Sequence, residues 1–240
     1  MFLEKVEKLQ IVCLAVIMAL GMVIAVKTAT RTLSDDKITV TGSAYKTVKS
    51  DSARMEFEIT ERSANKQIAY SAVKNKLPVV KKYLEENGIT DIDVSASNGY
   101  YSYKYLPNGT VTNEVAYYNL SQPITIKSND VQKIKFISSN IQSLLDKGID
   151  INVNNTEYFY SGLADLKVDL LKDATKDAKE RATGMLKATH NRVGKIQSVN
   201  MGVFQITPVD STNVSDMGIN DTSTIDKKVT AVANVVFRIK

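Results

Sequence analysis

The segment Ser50–Thr60 reads "SDSARMEFEIT", and it shows what kind of structure this chain builds. Every second residue from Ala53 to Ile59 is apolar, while the residues between them are charged or hydroxylated. This period of two predicts a strand with one face in a core and the other in water. Upstream, "ITVTGSAY" begins at Ile38 and alternates in the same way, and "KSD" at 49–51 predicts a turn between the two strands.

Gly42 stands between two hydroxylated residues, as in a phosphate-binding loop. Such a loop has further glycines and leads from a strand into a helix, whereas a second strand follows Gly42. The sequence therefore predicts a bulge or a close-approach glycine in a hairpin.

Three amphipathic helices are predicted between further strands. The first extends from an N-cap at Ser63 to about Asn87, the second from Asn129 or Asp130 to Gly148, and the third from Leu163 to Arg192. The predicted buried stripe of the first includes Ala64, Ile68, Ala72, Leu77, Val80 and Leu84, and that of the second includes Ile134, Ile137, Ile141, Leu144 and Leu145. Alanines at 174, 178 and 182 predict that the third helix lies close to a sheet.

The order strand, helix, strand, loop, strand occurs from Ala53 to Lys127 and recurs from Ile149 to Lys240. We therefore expect an α+β fold, with antiparallel sheets, helices packed on one face, and two β-α-β-β-like halves. One N-terminal transmembrane helix is expected to precede it.

The N-terminal segment between Lys8 and Lys27 contains no charged residue and is long enough to cross a bilayer as a helix. It predicts a short cytoplasmic N-terminus (1–8), a transmembrane anchor (9–27), a linker (28–36) and an extracytoplasmic domain (37–240). A cleaved signal peptide is the alternative, because "ALG" at 19–21 could be a cleavage site, but apolar residues continue beyond it. The lysines on both sides indicate the orientation only weakly.

Several kinds of chemistry are excluded by composition. Cys13 and His190 are the single cysteine and the single histidine, so the domain cannot build a zinc site or a Cys–His couple. We predict no catalytic residue, no metal and no cofactor. The net charge of +5 is spread along the chain without a basic stripe, which argues against nucleic acid as a partner. Asp165, Asp169, Asp173 and Asp177 recur every four residues, either as a solvated ion-paired face or as paired acids.

Tyrosines cluster around the turn sequence "PNGT" at 107–110. A two-residue Asn-Gly turn would place Tyr100 opposite Tyr117 and Tyr101 opposite Ala116. Tyr101, Tyr103 and Tyr105 would then share one face, with Tyr100 on the other. These tyrosines could stabilise the hairpin, form a subunit or partner contact, or stack on a ligand.

The chain resembles the SIMPL-domain family, which includes bacterial oxidative-stress defence proteins and immunogenic periplasmic antigens. The matching segments are "ITVTGSA" with "SDSARMEFEIT", "NGITDIDV", and "LKDATKDAKERATGMLKATHNRVGKIQSV", and the likeness covers residues 37–240. The resemblance implies an α+β fold, a location outside the cytoplasm and self-assembly in some members. It carries over no catalytic residue.

Three functions remain open at this point. The first is a membrane-anchored, non-enzymatic envelope protein that acts through self-assembly or partner contacts, in stress defence, and forms a homo-oligomer. The second is an extracytoplasmic domain that binds a small, unidentified ligand between helices and sheet. The third is a hydrolase that depends on carboxylates alone.

Overall fold

The computed structural model describes residues 2–33 and 36–240. Its helices are α1 (Phe2–Leu33), α2 (Lys66–Glu86), α3 (Val131–Asn140) and α4 (Leu163–Lys187), and a 3-10 helix covers Ile141–Lys147. Its strands are β1 (Lys37–Lys49), β2 (Ser52–Ser63), β3 (Asp91–Val94), β4 (Asn98–Tyr105), β5 (Val111–Ser128), β6 (Asp150–Phe159), β7 (Val193–Met201), β8 (Gln205–Pro208), β9 (Ile219–Asn220) and β10 (Asp226–Ile239).

These strands form two five-stranded sheets. The central sheet has the order β3-β5-β2-β6, with β4 also paired to β5. The terminal sheet has the order β1-β10-β8-β9, with β7 also paired to β10. All pairs are antiparallel except β8 with β9. The α+β fold with antiparallel sheets predicted from the sequence is therefore confirmed.

The chain exchanges one strand between the two predicted halves. β1 pairs with β10 along its whole length, from Lys37 opposite Arg238 to Lys49 opposite Asp226. β6, predicted to open the second half, instead pairs with β2 in the central sheet. The predicted hairpin of β1 with β2 is wrong for the same reason, since the turn at Ser50–Asp51 passes from one sheet to the other. In sequence, the segment that forms the central sheet is thus inserted between β1 and the other strands of the terminal sheet.

Each sheet buries one face under its own helices. In the central sheet, Met55, Phe57 and Ile59 of β2 are fully buried together with residues of α2, α3 and the 3-10 helix. In the terminal sheet, alternate residues of β10 from Val229 to Phe237 pack against the leucines and alanines of α4. The alternation from Ala53 to Ile59 therefore identified the buried face of β2.

The helix boundaries differ from the predictions in three places. The first helix is capped by the Asn65 side chain, not by Ser63, and Ala69 and Val73 are buried where Ile68 is 61% exposed. The second helix tightens into the 3-10 helix, which turns Leu145 outward. The third helix ends at Lys187 rather than Arg192, because His190 adopts a positive φ of 61°.

The two sheets are joined at a junction formed by three turns. The Asp51 carboxylate accepts hydrogen bonds from the backbone nitrogen of Ser161 at 3.0 Å and from its Oγ at 2.6 Å. The backbone nitrogen of Ser50 donates to the Ile225 carbonyl at 2.9 Å, and that of Tyr158 donates to the Thr222 carbonyl at 2.7 Å. These bonds connect the end of β1, the end of β6 and the loop before β10.

The N-terminal helix α1 is longer than the predicted anchor. Among the described residues, Val12–Thr30 is long and apolar enough to cross a membrane, and none of it is buried against the rest of the protein. A helix with these properties is compatible with a membrane span or with a signal sequence. The domain boundaries at 8, 27 and 36 remain predictions.

Candidate functional site

The central sheet extends on one side as a two-stranded arm. β2 ends at Ser63, which pairs with Tyr118 of β5, and Tyr101 of β4 pairs with Tyr118 on the other side. Beyond this point only β4 and β5 continue to the turn, for roughly 20 Å. We call residues 100–118 the arm. It contains the five tyrosines predicted as a contact surface.

The arm has a different turn and register from those predicted. The turn is a three-residue loop: the Gly109 nitrogen donates to the Leu106 carbonyl and the Leu106 nitrogen donates to the Thr110 carbonyl, both at 2.9 Å, and Gly109 has a φ of 82°. Pro107 suits the first central position of such a turn, and a glycine suits the left-handed position after it. The predicted two-residue turn is therefore wrong.

Two register shifts follow along the arm, one between Ser102 and Tyr103 and one between Tyr103 and Tyr105. As a result Tyr100 lies opposite Asn119, Tyr101 opposite Tyr118 and Ser102 opposite Tyr117. The predicted pairs Tyr100–Tyr117 and Tyr101–Ala116 are wrong by two residues. Because side chains alternate, a shift of two leaves Tyr100 and Tyr101 on their predicted faces, and the ring contact of Tyr103 with Tyr101 places these two on the same face.

One face of the arm carries a cluster of tyrosine rings. Tyr101 lies edge-on to Tyr103 with ring centroids 5.2 Å apart, and edge-on to Tyr118 at 6.3 Å. The cross-strand pair of Tyr101 with Tyr118 stabilises the sheet by about 0.2–1 kcal/mol. The rings nevertheless remain open to solvent, since Tyr101 is 53% and Tyr105 69% exposed. Stabilisation of the hairpin therefore accounts for only part of this aromatic surface.

The other face is polar and concave. The Arg62 guanidinium lies 4.2 Å from the ring centre of Tyr117, and its Nε donates to Asn119 Oδ1 at 3.1 Å. Tyr100, Arg62 and Asp150 line a concavity of about 450 Å³ on this side of the sheet. A guanidinium, a carboxylate and a phenol around one depression could hydrogen-bond a small polar molecule. Most of its lining belongs to β2, β5 and β6, and Lys76 of α2 also lines it.

A family model described as "Protein of unknown function (DUF541)", SIMPL, matches residues 38–237. The chain belongs to the SIMPL family. It is also 23% identical over 214 residues to the "Uncharacterized protein YggE" of Edwardsiella ictaluri (strain 93-146), a match that covers 86% of this chain and 85% of that protein. The resemblance found in the sequence is thus confirmed.

The base of the arm in this SIMPL domain contains an irregularity that the sequence signalled through Pro123. Pro123 lies in the interior strand β5, at the point where β3 has ended and β4 has not begun. The buried Gln122 side chain fills this break: its Nε2 donates to the Ser95 carbonyl, and its Oε1 accepts from Ser97 Oγ at 2.8 Å. Proline cannot donate to a sheet ladder and is confined to edges or irregularities, and Pro123 lies at an irregularity of an interior strand. Gln122 itself was missed, although a glutamine at a buried-face position was the available signal.

The remaining candidate residues do not converge on one place. On α4, Asp177 accepts from the Ser43 backbone nitrogen and from Arg181 Nε, both at 2.8 Å, and Asp169 pairs with Lys172 at 3.0 Å. These contacts agree with the solvated, ion-paired face that was one of the two predictions for these aspartates. Asp177 also accepts the hydrogen bond of a backbone nitrogen of β1. Within residues 2–33 and 36–240, no group of three His, Cys, Asp or Glu side chains is arranged to hold a metal ion.

Proposed function

We propose that this chain is a membrane-tethered, non-enzymatic envelope protein that acts through contacts made by the arm, in the first place contacts with other copies of itself. The folded domain lies outside the cytoplasm in this proposal. A role in stress defence is the part of the proposal that comes from the resemblance to the family.

The observation that carries the proposal is the shape and exposure of the arm. A two-stranded hairpin is marginally stable in water unless another element packs against it. β4 makes its extensive contacts with β5 alone, and Tyr100, Tyr105 and Val111 are each more than half exposed. Tyrosine is enriched at protein interfaces because its ring contributes a large contact area and its hydroxyl retains a hydrogen bond. An arm that binds a second surface would gain the missing packing.

The mass of the full-length protein in mild detergent tests this proposal by light scattering after size exclusion. We expect a defined multimer for the wild type, and dissociation for the double variant Tyr101→Ser/Tyr103→Ser and for Tyr105→Ser. Tyr45→Ser is the matched control, because Tyr45 is 71% exposed but lies on β1 in the terminal sheet. A wild-type protein that is monomeric at all concentrations would contradict self-assembly. Circular dichroism confirms that each variant is folded.

A second candidate function is the binding of a small polar ligand in the concavity beside the arm, supported by the position of Arg62 over Tyr117. A thermal-shift screen against small polar molecules tests it. A true ligand should stabilise the wild type and Arg54→Ala but not Arg62→Ala, since Arg54 lies on the same face of β2 and pairs with Glu56. Equal stabilisation of both variants would contradict binding at this place.

A further inference from the structure

The terminal sheet has a basic groove at the end where the chain enters the domain. The Ile239 nitrogen donates to the Asp36 carbonyl at 2.9 Å, and Arg192 and Lys240 exchange backbone hydrogen bonds at 2.7 and 2.8 Å. The start of β1, the end of β10 and the start of β7 therefore lie together. α4 also ends here, because β7 follows it after a short turn.

Local structure brings three cations to this groove. Lys179, Thr183 and Lys187 lie on one face of α4, at a spacing of four residues. After α4, the nitrogens of Thr189 and Asn191 both donate to the Leu186 carbonyl, and His190 has a positive φ. This turn brings Arg192 beside the helix end, where it lines a groove of about 520 Å³ together with Lys179, Lys187 and His190. Among the described residues, none that lines this groove is acidic.

The groove is held near α1 by a short connection. α1 ends at Leu33 and β1 begins at Lys37, so the chain between them spans at most about 14 Å. Charges in physiological salt interact over a screening length of about 8 Å, and an anionic leaflet attracts basic residues within that range. A tether of this length also keeps the local concentration of the groove at the membrane surface high.

We propose that the basic groove formed by Lys179, Lys187, His190 and Arg192 docks on the anionic phospholipid headgroups of the membrane that α1 crosses. This inference rests on the membrane anchor in the proposed function. Docking at this end leaves the turn at Ser50–Asp51, where the chain passes to β2, at the opposite end of the terminal sheet.

Energy transfer in nanodiscs tests the proposal with the full-length protein. The chain contains no tryptophan, so Met185→Trp on α4 and Phe136→Trp on α3 each introduce a single donor at an exposed apolar position. The acceptor is a dansyl group on the lipid headgroups. Discs contain phosphatidylcholine alone or a mixture with phosphatidylglycerol.

We expect stronger transfer in the Met185→Trp protein than in the Phe136→Trp protein, with an increase in the presence of phosphatidylglycerol that disappears at high salt. Lys187→Glu combined with Arg192→Glu should weaken docking by about thirtyfold or more. Lys74→Glu combined with Lys81→Glu on α2 changes the charge equally and should have no effect. Equal transfer in both lipid compositions would overturn this inference alone. A protein that does not co-purify with discs of either composition would contradict the anchor, and with it the proposed function.

Discussion

Gly42 of β1 lies against the backbone of Ala178 in α4. A Cβ atom at position 42 would be 2.4 Å from the Ala178 nitrogen and 2.1 Å from the Ala174 carbonyl oxygen. The close approach predicted for this glycine is therefore real, but its partner is a helix and not a hairpin strand. Ala174, Ala178 and Ala182 are fully buried, and their small side chains permit this contact.

Gly42→Ala should destabilise the protein strongly, because the atoms that the new methyl group meets belong to the backbone and cannot rotate away. Overpacking costs about 1–3 kcal/mol, and a clash with rigid backbone atoms should reach the upper end of this range. Urea denaturation measures the change. Gly184→Ala is the control, since a Cβ at Gly184 meets nothing within 4 Å and alanine favours the helix by about 1 kcal/mol. A Gly42→Ala protein as stable as wild type would contradict the observed packing.

Asp51, in the turn from β1 to β2, should be important for the junction between the sheets. Its carboxylate accepts from both the nitrogen and the hydroxyl of Ser161, and these bonds hold its pKa below the ordinary value of 3.8. Asp51→Ala removes these hydrogen bonds to a charged acceptor and should cost about 1–3 kcal/mol. Asp51→Asn keeps one acceptor oxygen and should cost less, whereas an equal loss in both variants would contradict the role of the hydrogen bonds. The free energy of unfolding in urea measures both.

Asp221 and Lys227 form a buried ion pair beside the same junction. Lys227 is 3% exposed; its Nζ lies 3.5 Å from Asp221 Oδ2 and donates to the Asp221 carbonyl at 2.6 Å. Asp221→Ala leaves the ammonium group buried without its carboxylate and should cost about 3–5 kcal/mol. The double variant Asp221→Ala/Lys227→Met removes both charges and should recover part of the loss. Calorimetry that finds the double variant less stable than Asp221→Ala would contradict this account.

The same pair predicts how stability falls in acid. Burial alone would raise the pKa of Asp221, but hydrogen bonds from Ser223 and Thr224 and the nearby Lys227 ammonium lower it from 3.8 to about 2. A carboxyl group whose pKa is lower in the folded state stabilises the protein above its ordinary pKa and loses this effect as the pH falls through the folded value. The contribution of Asp221 should therefore be complete above about pH 4 and vanish towards pH 2. Asp221→Asn should remove this part of the pH dependence; an unchanged acid profile would contradict it.

The sequence predicted which segments form helices and strands better than it predicted which strands pair with each other. Alternation in β2 identified a strand and its buried face, because side-chain direction is a local property. It could not reveal that β1 pairs with β10, since a strand pattern carries no information about a partner almost 200 residues away. The Asn65 cap was missed because Ser63, two residues earlier, is an equally good capping residue type.

The sequence predicted which tyrosines form the candidate site, but it did not predict their pairing register or the projection of the hairpin as an arm. The five tyrosines were found together, and Tyr101 and Tyr103 share a face as expected. Their register depended on the three-residue turn at Pro107–Gly109 and on bulges that sequence spacing does not fix. That the hairpin projects as an arm follows only from the end of β2 at Ser63, which is a property of the β2–β5 pairing.

Hydrogen–deuterium exchange of the full-length protein at increasing concentration tests the proposed contact function most directly. We predict that amides of residues 101–117 become more protected as the concentration rises, while amides of the β1 edge near Tyr45 do not change. The Tyr101→Ser/Tyr103→Ser variant should lose this dependence. Exchange in the arm that is the same at every concentration, in wild type and variant alike, would contradict the account.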